Sequence, residues 1–252
     1  MNESRHPTGW MVGTVVLLVM IGVAAAIGRS MFPADLAIRA DPVRERLMNA
    51  LHRDDPFARE RQEEVRQFDN RFATDRRTTL WHILPGGIFL LLAPFQFSRR
   101  IRTRHIQVHR WSGRILMLLA VVAALTGLYY GVLIPYAGIG EASAVALFGV
   151  LLLVSVGRAY VAIRRGDEGR HREWVIRAFA IMISISTVRV LSVVLDLALT
   201  PSGFRLKEIF VFSLWTGWCL TVGVAELWIR STRTLGRTPV SSVRGALRSF
   251  GR

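Results

Sequence analysis

"HREWVIRAFAIMISISTVRVLSVVLDLAL" occupies residues 171–199 and decides the fold class of the chain. Its apolar part begins at Trp174 and exceeds the roughly 20 residues that an α-helix needs to cross the hydrocarbon core of a bilayer. Arg189 and Asp196 interrupt it in its second half. A His-Arg pair beside a Trp stands at its start, which is typical of a helix that enters a membrane from an arginine-rich side.

Five further apolar stretches have a similar length, and 51% of the residues are hydrophobic although the formal net charge is +15. This combination is typical of a membrane protein with basic connections. We therefore predict an all-α, polytopic transmembrane bundle of about six spans. The predicted spans are 10–27, 80–97, 115–134, 143–163, 174–199 and 209–229.

The predicted spans divide the chain into four parts. Residues 1–28 form an N-terminal transmembrane helix, whose end "GVAAAIG" resembles a signal-peptide cleavage site but whose length favours an uncleaved helix. Residues 29–79 form an extracytoplasmic segment with apolar residues at near-helical spacing, which predicts one or two amphipathic helices broken around "RDDP". Residues 80–230 form a five-span core, and residues 231–252 form a basic cytoplasmic tail.

Arginine distribution predicts the orientation. Six arginines lie in the connection 98–114, four in 164–172 and six in the tail 230–252, whereas the alternate connections carry few. By the positive-inside rule, the arginine-rich side and both termini are cytoplasmic. The same clustering beside spans explains the sequence pI of about 11.5 without nucleic acid, which we exclude as a partner.

Two pairs of similar stretches predict an internal repeat. "HRWSGR" (109–114) matches "HREWVIR" (171–177), and "VGRAYVAIRR" (156–165) matches "VGVAELWIRS" (222–231) without gaps. Spans three and four would then be one copy of a helical hairpin, and spans five and six a parallel second copy. Small-residue packing and arginines at cytoplasmic ends are an alternative explanation for the matches.

Ionisable groups inside spans are costly and generally face the bundle interior or water. His82, Arg189 and Asp196 all fall in outer halves of spans, so they are predicted to converge on one outer binding site. Alternatively, Arg189 and Asp196 form a purely structural pair.

Near the cytoplasmic side, Glu226 has Arg158 and Arg177 as possible partners. We expect an interhelical ion pair there.

His109 and His171 stand at equivalent points of the predicted hairpins, each followed by an arginine, Arg110 or Arg172. Two imidazoles from two helices can ligate haem b, with arginines meeting the propionates. The alternative is interfacial anchoring by Trp and Arg, which accounts for every residue of the motif except the histidine. The residues alone favour anchoring.

The sequence excludes several classes of site. A single cysteine, Cys219, excludes disulfides within this chain and iron–sulfur clusters or zinc sites held by several cysteines. No phosphate-binding loop, HExxH motif or serine nucleophile elbow occurs, and no metal-ion site is predicted.

The order "WHILPGG…APFQF…HRWSGR…HREWVIRAFA…VR", from Leu80 to Leu195, resembles an uncharacterised bacterial family of predicted polytopic membrane proteins, a domain of unknown function. Ala93 stands where those relatives usually have glycine. The layout is similar, more loosely, to b-type cytochromes and ferric-reductase-like four-helix membrane proteins. These resemblances imply a bacterial inner-membrane location and add weight to haem b as a cofactor.

Three functional hypotheses follow, and the sequence does not decide whether the protein is an enzyme. The first is a haem b electron-transfer protein, with the lipid bilayer and a quinone or other small molecule as partners. The second is a transporter or small-molecule binding protein that uses the outer His82 and Arg189. The third is a non-catalytic assembly or interaction protein. The sequence leaves the oligomeric state open.

Overall fold

The computed structural model describes residues 9–31, 58–199 and 202–235, which are helical throughout apart from short connections and contain no strand. One π-helical turn, Tyr129–Leu133, continues the helix Ile106–Leu128. The helices in chain order are α1 Gly9–Met31, α2 Ala58–Thr74, α3 Arg76–Gln96, α4 Arg99–Arg104, α5 Ile106–Leu128, α6 Ile139–Arg164, α7 Glu168–Leu199 and α8 Leu206–Leu235.

The prediction of six spans is confirmed, because α1, α3, α5, α6, α7 and α8 are each long and apolar enough to cross a membrane. Several begin or end beyond the predicted apolar stretches. For example, α3 begins at Arg76 because Asp75 caps it by accepting a hydrogen bond from the Thr78 N–H at 3.1 Å. Hydrogen bonding by Thr78 also lowers the pKa of the Asp75 carboxyl below its ordinary value.

Two predicted segments fall mainly outside the described residues. Of the expected amphipathic helices, the later one is present as α2, and the earlier one lies in 32–57, outside the described ranges. The tail predicted from residue 231 continues α8 as far as Leu235, and 236–252 lie outside the described ranges.

Four helices, α3, α5, α6 and α7, form a ring in which each packs against the next and α7 closes against α3. Consequently α5 and α7 stand diagonally opposite each other. Helix α8 packs along α7, and α1 packs against α3 and α7. Buried alanines such as Ala120, Ala144 and Ala159 lie between the helices, and small residues of this kind let backbones approach closely in membrane proteins.

Helix α2 covers one end of the bundle, which we call the capped end. Its Asp69 pairs with Arg29 of α1 at 2.7 Å, and its Arg71 pairs with buried Glu141 of α6 at 2.5 Å. Its Glu60 pairs with Arg205, just before α8, at 2.8 Å. These pairs attach α2 to three spans, so it acts as a cover over the bundle.

Aromatic contacts fill the space below α2. Phe68 makes edge-to-face contacts with Phe72, Tyr136 and Phe210, with ring centroids 5.2–5.4 Å apart. Burial raises the pKa of the Tyr136 phenol, so this group stays neutral at any physiological pH. The opposite end, formed by connections 97–105 and 165–167, carries the arginine clusters and is called the basic end below.

Gly217 permits the close approach of α8 to α7. A Cβ at this position would lie 2.6 Å from Val188 Cγ2 and 3.2 Å from the Val188 backbone nitrogen. Gly223, on the same helix, has no heavy atom within 4 Å of the corresponding position.

We predict that Gly217→Ala lowers the free energy of unfolding by about 1–3 kcal/mol, because the backbone of α7 cannot move away without unpacking. Gly223→Ala should leave stability unchanged or raise it by up to about 1 kcal/mol, because alanine favours the helix. Thermal unfolding of the detergent-purified proteins measures both. Equal unfolding temperatures for the two variants would contradict the close α7–α8 contact.

Candidate functional site

The two His-Arg motifs occupy equivalent structural positions at the basic end. His109 is the fourth residue of α5 and His171 the fourth of α7, and each backbone N–H bonds to the residue immediately before its helix, His105 or Asp167. In both motifs an arginine stands three residues after the tryptophan and lies over its ring, at 5.0 Å for Arg114 and 4.6 Å for Arg177. Both helices therefore enter the bundle with the same local arrangement.

The ring of His171 is fixed by a neighbouring helix. Its Nδ1 lies 2.9 Å from the carbonyl oxygen of Ala159 in α6, so Nδ1 carries the hydrogen and donates it. In the tautomer with a single ring hydrogen, Nε2 is then the nitrogen that can accept a hydrogen bond or bind a metal. Haem- and metal-ligating histidines are commonly oriented in this way by a backbone carbonyl.

His109 differs, because its partly buried ring has a buried Nδ1 with no hydrogen-bond partner in the described part of the chain. A buried polar atom without a partner is costly and calls for an explanation. Arg102, Arg110 and His171 all lie close enough to act on the charge of His109. His109 and His171 thus lie at the same end of the bundle, at equivalent positions of the diagonally opposed helices α5 and α7.

The two arginines beside these histidines have different surroundings. Arg110 is exposed, whereas Arg172 donates a hydrogen bond from Nη1 to Thr232 Oγ1 of α8 at 3.2 Å. Arg172 could therefore bind a haem propionate only if it released its hydrogen bond to Thr232 or made both contacts at once.

The expected ion pair on the same side is formed by Arg177, which binds Glu226 through two contacts of 2.5 Å and 3.0 Å. Arg158, the other arginine considered for Glu226, instead lies over the Trp174 ring, 5.9 Å from its centroid. Glu173, which the sequence analysis missed, joins the network by pairing with Arg233. The network ties α7 to α8 and accounts for these charges structurally.

In the half of the bundle nearer the capped end, His82 of α3 is held against α5. Its Nδ1 lies 3.1 Å from both the Ala123 carbonyl oxygen and Thr126 Oγ1. The Thr126 hydroxyl donates its own hydrogen to the Val122 carbonyl at 2.7 Å, so it can only accept from His82. Nδ1 of His82 is therefore the protonated nitrogen, and Nε2 is the free one.

Arg189 has no ion pair or hydrogen bond with any residue of the described ranges, and its side chain is exposed. It lies near enough to His82 for their charges to interact. Asp196 lies two turns nearer the end of α7, about 10 Å further along the helix axis. The structure thus brings His82 and Arg189 together and places Asp196 further out.

Three hydroxyl residues lie within one turn of Arg189 along α7, which the sequence analysis missed. The hydroxyl oxygens of Ser186, Thr187 and Ser192 are buried and have no hydrogen-bond partner in the described residues. Serines and threonines in membrane helices commonly bond to a carbonyl one turn back, as Ser184 does to Ala180 at 2.6 Å. The polar run "SIST" within an otherwise apolar span was the available signal.

The chain belongs to a family of membrane proteins of unknown function. The family model described as "Predicted membrane protein (DUF2306)" matches residues 79–229, which include five of the six spans and all the histidines discussed above. Neither the curated proteins nor the solved structures contain a match to the chain. The protein is therefore an integral membrane protein, and its activity has to be argued from its own residues.

We predict that Arg177→Gln lowers the free energy of unfolding by about 1.5–3 kcal/mol, because it removes a charge-assisted, two-point bond and leaves Glu226 unpaired. Arg158→Gln should cost less than about 1 kcal/mol, because it removes only a cation–π contact. Thermal unfolding in detergent compares the two. A loss for Arg158→Gln as large as that for Arg177→Gln would show that the ion pair does not dominate.

Proposed function

We propose that this membrane protein binds haem b at the basic end and transfers electrons, with His109 and His171 as the axial ligands. The supporting observation is that the two imidazoles occupy equivalent positions at the same end of the diagonally opposed helices α5 and α7, near enough for their charges to interact. Ligation from two helices of a four-helix arrangement is a common way to hold haem b.

The nitrogen atoms of the two rings suit this role. The hydrogen bond from His171 Nδ1 to Ala159 orients the ring and leaves Nε2 as a ligand atom. A ligand role for His109 would account for its buried, unpartnered Nδ1, because rotation about the side chain could present one ring nitrogen to iron and let the other donate its hydrogen to water. Anchoring at the membrane interface would require neither the hydrogen bond from His171 to Ala159 nor a buried, unpartnered Nδ1 on His109.

When bound, haem b supplies one-electron transfer between the ferric and ferrous states. The chain's own residues would set the conditions for that transfer. Arg110 is exposed beside His109 and is free to meet a propionate, and Arg102 adds positive charge, which favours the ferrous, less positive state of the iron site. Under the positive-inside rule, the basic residues on this side support a cytoplasmic location for the proposed site.

We predict that the protein, expressed with haem supplementation and purified in mild detergent, shows Soret and α bands in a reduced-minus-oxidised spectrum. His109→Ala and His171→Ala should each abolish the bands, because each removes an axial ligand. His105→Ala is the matched control, since His105 is an exposed histidine one turn before His109, and it should keep them. Absence of bands in the wild type, or their presence in both Ala variants, would refute the assignment.

Methionine variants separate ligation from folding. Should an alanine variant unfold, His109→Met keeps a ligand atom and should retain haem with a higher midpoint potential, because thioether ligation raises the potential. An unchanged potential would show that His109 is not bound to iron.

Arg189, His82 and the neighbouring hydroxyls favour a second function, the binding of a quinol or quinone nearer the capped end. Arg189 can donate to a carbonyl or anionic oxygen, and the free Nε2 of His82 can accept from a hydroxyl. A quinol suits these two side chains, because its hydroxyl oxygens can accept from Arg189 and its hydroxyl hydrogens can be donated to His82. About 27 Å of helical rise separates Arg189 from His171, so the two sites can be tested separately.

We predict that a short-chain ubiquinol analogue raises the unfolding temperature of the wild-type protein in a concentration-dependent manner. Arg189→Gln should weaken its binding about tenfold or more, because the charged donor is lost. The unfolding temperature without ligand should stay within a few degrees, since Arg189 forms no ion pair within the described ranges that the substitution would remove. If Arg189→Gln unfolds the protein without affecting binding by the folded fraction, Arg189 is structural.

A further inference from the structure

The connection between α3 and α5 carries a cluster of positive charge that nothing in the described chain neutralises. The side chains of four arginines in this connection and of two in the first turns of α5 form no hydrogen bond or ion pair with any described residue, and no Asp or Glu occurs in the sequence between Asp75 and Glu141. The six are Arg99, Arg100, Arg102, Arg104, Arg110 and Arg114.

Other arginines at the basic end have carboxylates beside them. Arg170 pairs with Asp167 at 3.2 Å, Arg177 pairs with Glu226, and Arg233 pairs with Glu173. Positive charge at this end would by itself satisfy the positive-inside rule, whether or not it is paired. The lack of any carboxylate around α4 is therefore a separate property of this connection.

Three of the unpaired arginines face one recess. Arg99, Arg100, Thr103 and Arg104 line an open cavity of about 400 Å³ on α4. The Thr103 hydroxyl donates its hydrogen to the Arg99 carbonyl at 2.9 Å, so its oxygen is left as an acceptor. The recess therefore offers several guanidinium donors for a phosphate and one acceptor for a ligand hydroxyl.

Apolar side chains flank this cluster on both sides. Phe97, Ile106, Val108 and Trp111 are 41–64% exposed. Such residues interleaved with arginines are characteristic of a segment that lies in the headgroup region of a bilayer, with its apolar side chains in the acyl boundary. A soluble phosphate compound would not cover these apolar groups, whereas a phospholipid would.

We infer that α4 and its flanking residues form a binding site for the phosphate headgroup of an anionic phospholipid. Arg99, Arg100 and Arg104 bind the phosphate, and Thr103 accepts a hydrogen bond from a glycerol headgroup. The acyl chains lie against Phe97 and Trp111. Phosphatidylglycerol meets each of these requirements, and phosphatidylcholine, whose choline is cationic and has no hydroxyl, does not.

Native mass spectrometry of the detergent-purified full-length protein, titrated with phosphatidylglycerol or with phosphatidylcholine of the same chains, tests the site. The wild type should prefer phosphatidylglycerol. An arginine near an anionic surface contributes roughly fivefold to binding, so the triple variant R99Q/R100Q/R104Q should lose on the order of 100-fold. The matched control R164Q/R165Q/R170Q removes three exposed arginines from the connection that contains Asp167 and Glu168, and it should lose less than about tenfold.

Two further measurements complete the test. R99K/R100K/R104K keeps the charge and should retain most of the affinity, which also shows that exposed substitutions on α4 are tolerated. Equal losses in the two glutamine variants, or no preference for phosphatidylglycerol, would overturn the site. Competition by millimolar inorganic phosphate that is strong in the wild type and absent from R99Q/R100Q/R104Q would assign the recess to a soluble phosphate ligand and overturn the lipid assignment.

Discussion

A polar group inside a bilayer has no water to bond with, and the rest of the structure follows from that constraint. It forces the spans to be helices and requires a partner for most polar side chains within them. Ser184 bonds to Ala180, Thr126 to Val122, and Arg177 to Glu226. Against this background, His109 Nδ1 and Arg189, which have no partner among the described residues, are exceptions, and polar groups left in this way are where function is expected.

The two ends of the bundle differ in how many of their charged side chains form ion pairs. At the capped end, α2 supplies carboxylates and arginines that pair with three spans, and the aromatic residues below it exclude water. At the basic end, α7 and α8 are joined by ion pairs, whereas α4 and the start of α5 carry only positive charge. The proposed lipid site uses only α4 and the start of α5, whereas the proposed haem site uses His109 of α5 and His171 of α7.

Much of the fold could be predicted from the sequence, because six long apolar stretches leave few alternatives to a helical bundle. The span boundaries could not, since helices such as α3 and α5 continue into polar residues until a cap or turn stops them. The equivalence of His109 and His171 was visible as a repeat, and both are fourth in their helices. The hydrogen-bond partners of His171 and His82 could not be predicted, because both histidines bond to backbone carbonyls, which every residue possesses.

The central claim is that one pair of histidines, His109 and His171, holds one haem. The described residues contain two other histidines, His105 and His82. His105 is exposed. His82 lies nearer the capped end, where no second described histidine accompanies it. The most direct test is the haem content of the purified protein, determined as the pyridine haemochrome and divided by protein concentration. The account predicts one haem b per chain. A value near zero after haem-supplemented expression, or a value near two, would contradict it.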